Sequence, residues 1–159
     1  MLPGEEPSPE MLAKRAKRRW GTREIEITSV RLLDGDGEET FLFESGQPAA
    51  IEIGYRINQP AETPVFGIGI YRGDGAYCYG TNTYIECIPT DDLDGVGVVR
   101  VAFDRFAFIE GTYTLDVAVH TKYGYAYDYH LHCCTFVVRS RLKDGGVFRP
   151  RHRWEIVTH

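Results

Sequence analysis

No stretch of the sequence approaches the roughly 20 apolar residues a membrane helix needs, and the N-terminus lacks the apolar core of a signal peptide. These two gaps predict a cytoplasmic chain. A surplus of positive charge is missing as well. At a net charge of −5, nucleic acid would have to be held by a local patch against an unfavourable field, so no nucleic-acid partner is expected. The chain has no GxxxxGK[ST], no GxSxG and no HExxH, so it is not expected to hydrolyse nucleotides or esters, and no cofactor is predicted. It has only four cysteines. Cys133 and Cys134 are adjacent, which would strain a bond between them, and Cys78 and Cys87 lie in a segment that reads as strand. Free thiols are predicted.

Within its 159 residues are 10 Tyr, 8 Phe and 17 Gly, a mixture that favours strands joined by tight turns in one domain. Five basic residues, Lys14, Arg15, Lys17, Arg18 and Arg19, crowd the start of an otherwise acidic chain. Residues 1–10 are rich in proline and acid, with little to bury, and Met11–Trp20 is long enough for about two helical turns, a length marginal in water. Residues 1–20 are therefore read as a linker and 21–159 as the folded domain.

From Glu24 onward the period is two. Ile51, Ile53, Tyr55 and Ile57 alternate with Glu52, Gly54, Arg56 and Asn58. Likewise Tyr113, Leu115, Val117 and Val119 alternate with Thr112, Thr114, Asp116, Ala118 and His120. Gly-rich and Asp-Gly turns such as Asp34–Gly37, Gly73–Gly75 and Asp144–Gly146 punctuate the runs. Strands are predicted at about 24–33, 41–43, 49–58, 64–72, 76–85, 96–104, 111–120, 125–138 and 147–157. The pattern specifies an all-β fold, a two-sheet antiparallel β-sandwich of immunoglobulin-like or jelly-roll type.

The densest functional signal is PVFGIGIYRGDGAYCYGTNT, residues 64–83. Phe66, Ile68 and Ile70 face one way, leaving Gly67 and Gly69 on the other face as a strip without side chains. Such a strip either lets a flat ligand approach the backbone, or admits close packing from another strand or marks a bulge. Around it fall Tyr77, Tyr79, Asn82 and Tyr84, and a second cluster, Tyr123, Tyr125, Tyr127 and Tyr129, follows His120. Sugars are bound where an aromatic face covers the C–H side of a ring while amides, carboxylates and imidazoles bond its hydroxyls. The predicted contacts are Tyr77, Tyr79, Asn82, Tyr84, His120, Tyr125 and Asp128.

Three other constellations carry less. His130, His132 and Cys134 would share a face of a regular strand, but no fourth ligand follows at zinc spacing, and surface histidines with small buried thiols explain them more simply. Asp91, Asp92 and Asp94 read as a solvated turn, not a glycosidase pair. Asp34, Asp36 and Glu38 read as a hairpin, because the later glutamate and flanking helices of a calcium loop are missing. No metal site is predicted.

The stretch from Trp20 to Val157 resembles the C-terminal domain of the ATP-binding subunit of O-antigen polysaccharide ABC exporters, the Wzt type. The resemblance is carried by Arg19-Trp20-Gly21, ITSVRLLDGDG, PVFGIGIYRGDG with YGTNT, GTYTLDVAVH with YDYH, and a closing PRHRW. It implies a non-catalytic β-sandwich that binds the exported polysaccharide, often at its finished non-reducing end. It also implies a homodimer in which the last strand, about 147–157, crosses to the second copy. The nucleotide-binding and permease subunits of the transporter would be further partners, with the chain peripheral to the inner membrane. Tyr79, Gly80, Asn82, Thr83, His120 and Asp128 match the family's motif positions. The alternative is a dimerisation or protein-interaction module without a glycan ligand, and a carbohydrate-active enzyme using His120 or Asp128 ranks behind both.

Overall fold

The computed structural model describes residues 18–157, so the reading of residues 1–17 as linker lies outside the described residues. Nine strands follow in chain order: β1 Arg19–Trp20, β2 Ile25–Asp34, β3 Leu42–Glu44, β4 Ala49–Ile57, β5 Val65–Arg72, β6 Tyr77–Asn82, β7 Val96–Phe103, β8 Gly111–His120 and β9 Ala126–Arg139. Eight of the predicted strands match β2 to β9 within a few residues. The alternation has its expected cause, since Tyr113, Leu115, Val117 and Val119 on β8 and Ile51, Ile53 and Tyr55 on β4 are all buried.

The strands form two sheets. The broad one runs β1-β9-β8-β5-β6, with β3 beside β9, and the narrow one runs β2-β4-β7. All pairings are antiparallel except that of β3 with β9. The inner faces enclose the core, where each fully buried aliphatic or aromatic side chain contributes about 1.5–3 kcal/mol. At one end of the core Phe106 packs against Phe43, Phe103, Phe108 and Phe136. Tyr113 stacks on Phe136 at 5.5 Å and donates its hydroxyl to the Ile109 carbonyl at 2.7 Å, tying the start of β8 to the loop before it.

At the opposite edge the two sheets are stitched by a buried ion pair. Asp128 on β9 pairs with Val119, so its carboxylate points toward the core side, where it is 0% exposed. It accepts from Arg19 Nε at 3.1 Å and Arg19 Nη2 at 2.8 Å, with Arg23 Nε a further 3.5 Å away. The same pair reaches the other sheet. The Ile27 N–H on edge strand β2 donates to Asp128 Oδ2 at 2.8 Å, and Arg19 Nη2 donates to the Ile27 carbonyl at 2.8 Å. The guanidinium and carboxylate thus occupy the backbone groups of Ile27 as a neighbouring strand would.

Two boundaries differ from those read in the sequence. Arg19 and Trp20 belong to the sheet instead of the linker, because β1 pairs with His130 and Tyr129 and the clamp fixes it there. Gly21 follows at φ +144°, so close to the Tyr127 carbonyl that a side chain would collide with it. At the other end, 147–157 forms no strand. Ile109 donates to the Val147 carbonyl, Phe148 bridges to Phe108 and Arg149 donates to the Ala107 carbonyl, but beyond them the tail is exposed and pairs with no strand among the described residues.

Replacing Arg19 by Ala strips the buried Asp128 of its bidentate partner and leaves it only Arg23, at a cost expected to reach about 3 kcal/mol, whereas Asp128→Asn leaves a part-exposed Arg19 that water can solvate and is expected to cost less. Urea denaturation of both single variants and the double variant checks this. The clamp requires the double variant to fall well short of the sum. Burial pushes the Tyr113 hydroxyl from 10.0 up to about 12. Its contribution is therefore complete below pH 10 and is lost as pH rises through about 12, so the stability of Tyr113→Phe should fall less steeply over that window than that of the unaltered chain.

Candidate functional site

The outer face of the broad sheet is not covered by any strand of the narrow one, and its side chains follow from the registers. One row across the strands reads Trp20, Tyr129, Ala118, Gly67, Asn82. The next holds Asp116, Gly69 and Gly80, and beyond it come Thr114, Tyr71 and Tyr77. A register shift near Cys78 re-aims the strand so that Tyr77 joins this face.

The glycines turn out to be a bed for a ring. Tyr77 lies across Gly69 and Gly80. A β-carbon at Gly80 would collide with the Tyr77 hydroxyl, whereas one at Gly69 would meet Tyr71 and Tyr77 only at ordinary contact distance. Close packing therefore explains Gly80, and the flat surface offered to solvent is the ring of Tyr77, which is 59% exposed. Tyr71 leans against Tyr77 at 4.9 Å between centroids, and His132 stands edge-on to Tyr71. On the other side Trp20, Tyr129 and His120 stand in a row, with Trp20 stacked on Tyr129 at 4.8 Å and 9°.

Asp116 sits between the two aromatic groups. Its Oδ1 accepts the His132 N–H at 2.7 Å and lies 3.5 Å from His132 Nδ1, which also meets Thr114 Oγ1 at 3.2 Å. Burial raises the hydroxyl pKa of both Tyr129 and Tyr77, and the nearby Asp116 charge raises both further, as expected of a carboxylate placed between two phenols. His120 Nδ1 meets the Thr121 carbonyl at 2.6 Å and must donate to it, which makes Nε2 the acceptor of the neutral ring.

Two open hollows lie on this face at opposite ends of β5. The first, about 370 Å³, is formed by Val65, Thr83, Tyr84, Ile88 and Lys122, where the loop after β6 meets the end of β8. The second, about 500 Å³, is formed by Tyr71, Gly73, Thr114, Asp116, His132 and Arg18 at the β5–β6 hairpin.

Of the seven predicted contacts, Tyr77, Asn82 and His120 come together on the outer face. Asn82 uses its Oδ1 to hold the Ile85 N–H of the following loop. Tyr84 lines the first hollow, and Tyr125 projects from the turn whose amides Thr121 Oγ1 holds. Tyr79 opposes Ile70 and so leaves the sheet on the core side, at its uncovered edge. Asp128 drops out. It is buried, and both its oxygens are occupied by the clamp. Tyr127 is buried too, with its hydroxyl on the Glu62 carbonyl, while Thr83 exchanges hydrogen bonds with the Phe66 backbone and holds the sheet. His130, His132 and Cys134 do not share a face as a regular strand would have them do. His132 adopts φ 50° at a bulge opposite Asp116, putting its ring outside while Cys134 packs against the core. Tyr71, Asp116, Tyr129, His132 and Trp20 are not among the predicted contacts. The alternation of β8 puts Asp116 on the face of His120, Tyr129 stands in the second tyrosine cluster, His132 reads only as a metal-ligand candidate, and Trp20 only as a motif residue.

The fold and this open face define a two-sheet β-sandwich domain with a broad sheet free on its outer side. The family model of the Wzt C-terminal domain matches residues 16–150, and the chain belongs to that family. It is 28% identical over 130 residues to the O-antigen export system ATP-binding protein RfbB of Myxococcus xanthus, a match that covers 82% of this chain and 29% of that protein. The chain thus spans less than a third of the length of this relative. A crystal structure of the C-terminal domain of wzt superposes with a TM-score of 0.78 at 16% identity, covering 87% of each chain, which shows the shared fold.

Proposed function

We propose that the chain is the glycan-binding module of an ABC-type O-antigen polysaccharide exporter and carries out no chemistry itself. The observation that supports this reading best is the exposed ring of Tyr77, held flat on Gly80 beside Tyr71, with Asp116 and His132 at the neighbouring hollow and Asn82 and His120 further along the same face. A phenol face accepts the C–H side of a pyranose, while carboxylate, imidazole and amide bond its hydroxyls. The name of the Myxococcus relative supplies the polymer and the setting. Attached to the rest of such a subunit, the module would work beside the nucleotide-binding domain and the permease, peripheral to the inner membrane. No helix among the described residues is long and apolar enough to cross a membrane.

The module works as a homodimer joined through its C-terminal tail. Trp154 is 89% and Ile156 88% exposed on alternate positions of the tail. Among the described residues β7 pairs only with β4, leaving its other edge free beside exposed Val96 and Val98. A tail added to a free strand edge on a second copy would cover apolar surface on both partners. Sedimentation equilibrium should give a dimer for the chain and a monomer for Ile156→Asp. A monomeric unaltered chain removes the exchange.

Calorimetric or ligand-detected NMR titration with O-polysaccharide from the strain that encodes the chain should give a Kd of about 0.1–1 mM. Tyr77→Ala is expected to weaken it about five- to tenfold, the loss of one stacking ring. An unaltered signal at millimolar sugar would overturn the proposed function.

A further inference from the structure

Resting on that reading, we infer that the site takes an extended oligosaccharide of several units running parallel to β5, and not a single terminal sugar. Val65 at the start of β5 lines one hollow, and Tyr71 near its end lines the other. Both side chains leave β5 on the outer face, since Val65, Gly67, Gly69 and Tyr71 alternate with the core residues Phe66, Ile68 and Ile70, and Val65 is itself covered where it forms the wall of the first hollow. The six steps from Val65 to Tyr71 span about 20 Å. Only a chain of several pyranose rings covers that distance.

The path between the hollows carries the chemistry a sugar chain needs. It crosses Gly67, where no side chain rises, and then the exposed ring of Tyr77. Hydrogen-bonding groups flank it from both sides, with Asn82 on β6 and His120 and Asp116 on β8. At about 370 and 500 Å³ both hollows fall in the range of ligand pockets, roughly 300–1,000 Å³. Neither encloses a ring on all sides, however, so neither alone holds one sugar firmly. Linked subsites solve this, because each added contact on one chain is made without a second association cost.

The test is a length series. O-polysaccharide from the encoding strain is partly hydrolysed, sized from one to eight units, and each fraction is titrated against the full chain. The affinity is expected to rise about tenfold or more from disaccharide to pentasaccharide and then level off. Two variants locate the ends, with melting temperature as a check on folding. Tyr84→Ala removes a wall of the first hollow and Thr114→Trp fills the second. Each should make the affinity level off at a shorter length than in the unaltered chain. If the disaccharide binds as tightly as the octasaccharide, the extended track is wrong and glycan binding stands. If no fraction binds, both fall together.

Discussion

The broad sheet owes its position to one carboxylate. Asp128 is an acid in the interior of an aromatic-rich sandwich, a place a lone charge could not occupy, and it is held there by the Arg19 fork and the Ile27 amide. Because Arg19 also holds the Ile27 carbonyl, the pair satisfies both backbone groups of an edge residue and joins the sheets where no strand could pass between them. Hydrophobic contact alone would leave the two sheets free to slide. A bidentate pair with fixed geometry sets their register.

The same device shapes the outer face. Arg19 points inward to the clamp, so its neighbour Trp20 must point outward, where it stacks on Tyr129 beside His120. One wall of the face is therefore built by a residue whose placement depends on a buried ion pair one position away. The opposite wall depends on glycine. Tyr77 can lie flat only because Gly80 carries no side chain, which gives YGTNT its structural sense: Gly80 beds the ring, Thr81 bonds Glu86, Asn82 holds the Ile85 amide and Thr83 bonds Phe66.

Much of the fold was legible because burial on one face of a strand leaves a period of two, and β4 and β8 follow it without a break. What escaped was set by local departures from that period. The shift at Cys78 sends Tyr77 and Tyr79 to opposite faces, although their spacing reads as one face. The bulge at His132 separates it from Cys134 in the same way. Bulges depend on the partner strand, and a single strand's sequence does not contain them. Asp128 was misread for a related reason. An aspartate among tyrosines reads as a ligand contact, and its arginine partner lies more than a hundred positions away in a segment whose composition resembles a linker. The terminal strand failed on a different count, since a strand exists only where it pairs with an edge, and 150–157 pairs with none among the described residues.

The magnitudes decide whether β1 behaves as a switch or as a fixed wall. A ligand shifts the docking of a strand only by the difference in its affinity for the docked and undocked forms. On the proposed reading, a sugar lying against Trp20 and Tyr129 would favour the docked form, so binding would tighten β1 and not release it. Its whole binding energy, about 4–5.5 kcal/mol at 0.1–1 mM, is comparable to the roughly 3 kcal/mol lost when the buried Asp128 is stripped of Arg19. With the Arg19–Asp128 clamp closed, β1 is docked and Trp20 stands as a fixed wall. On the proposed reading none of a ligand's affinity would go to ordering that wall, and a weak, extended contact would have its full strength available for the sugar itself.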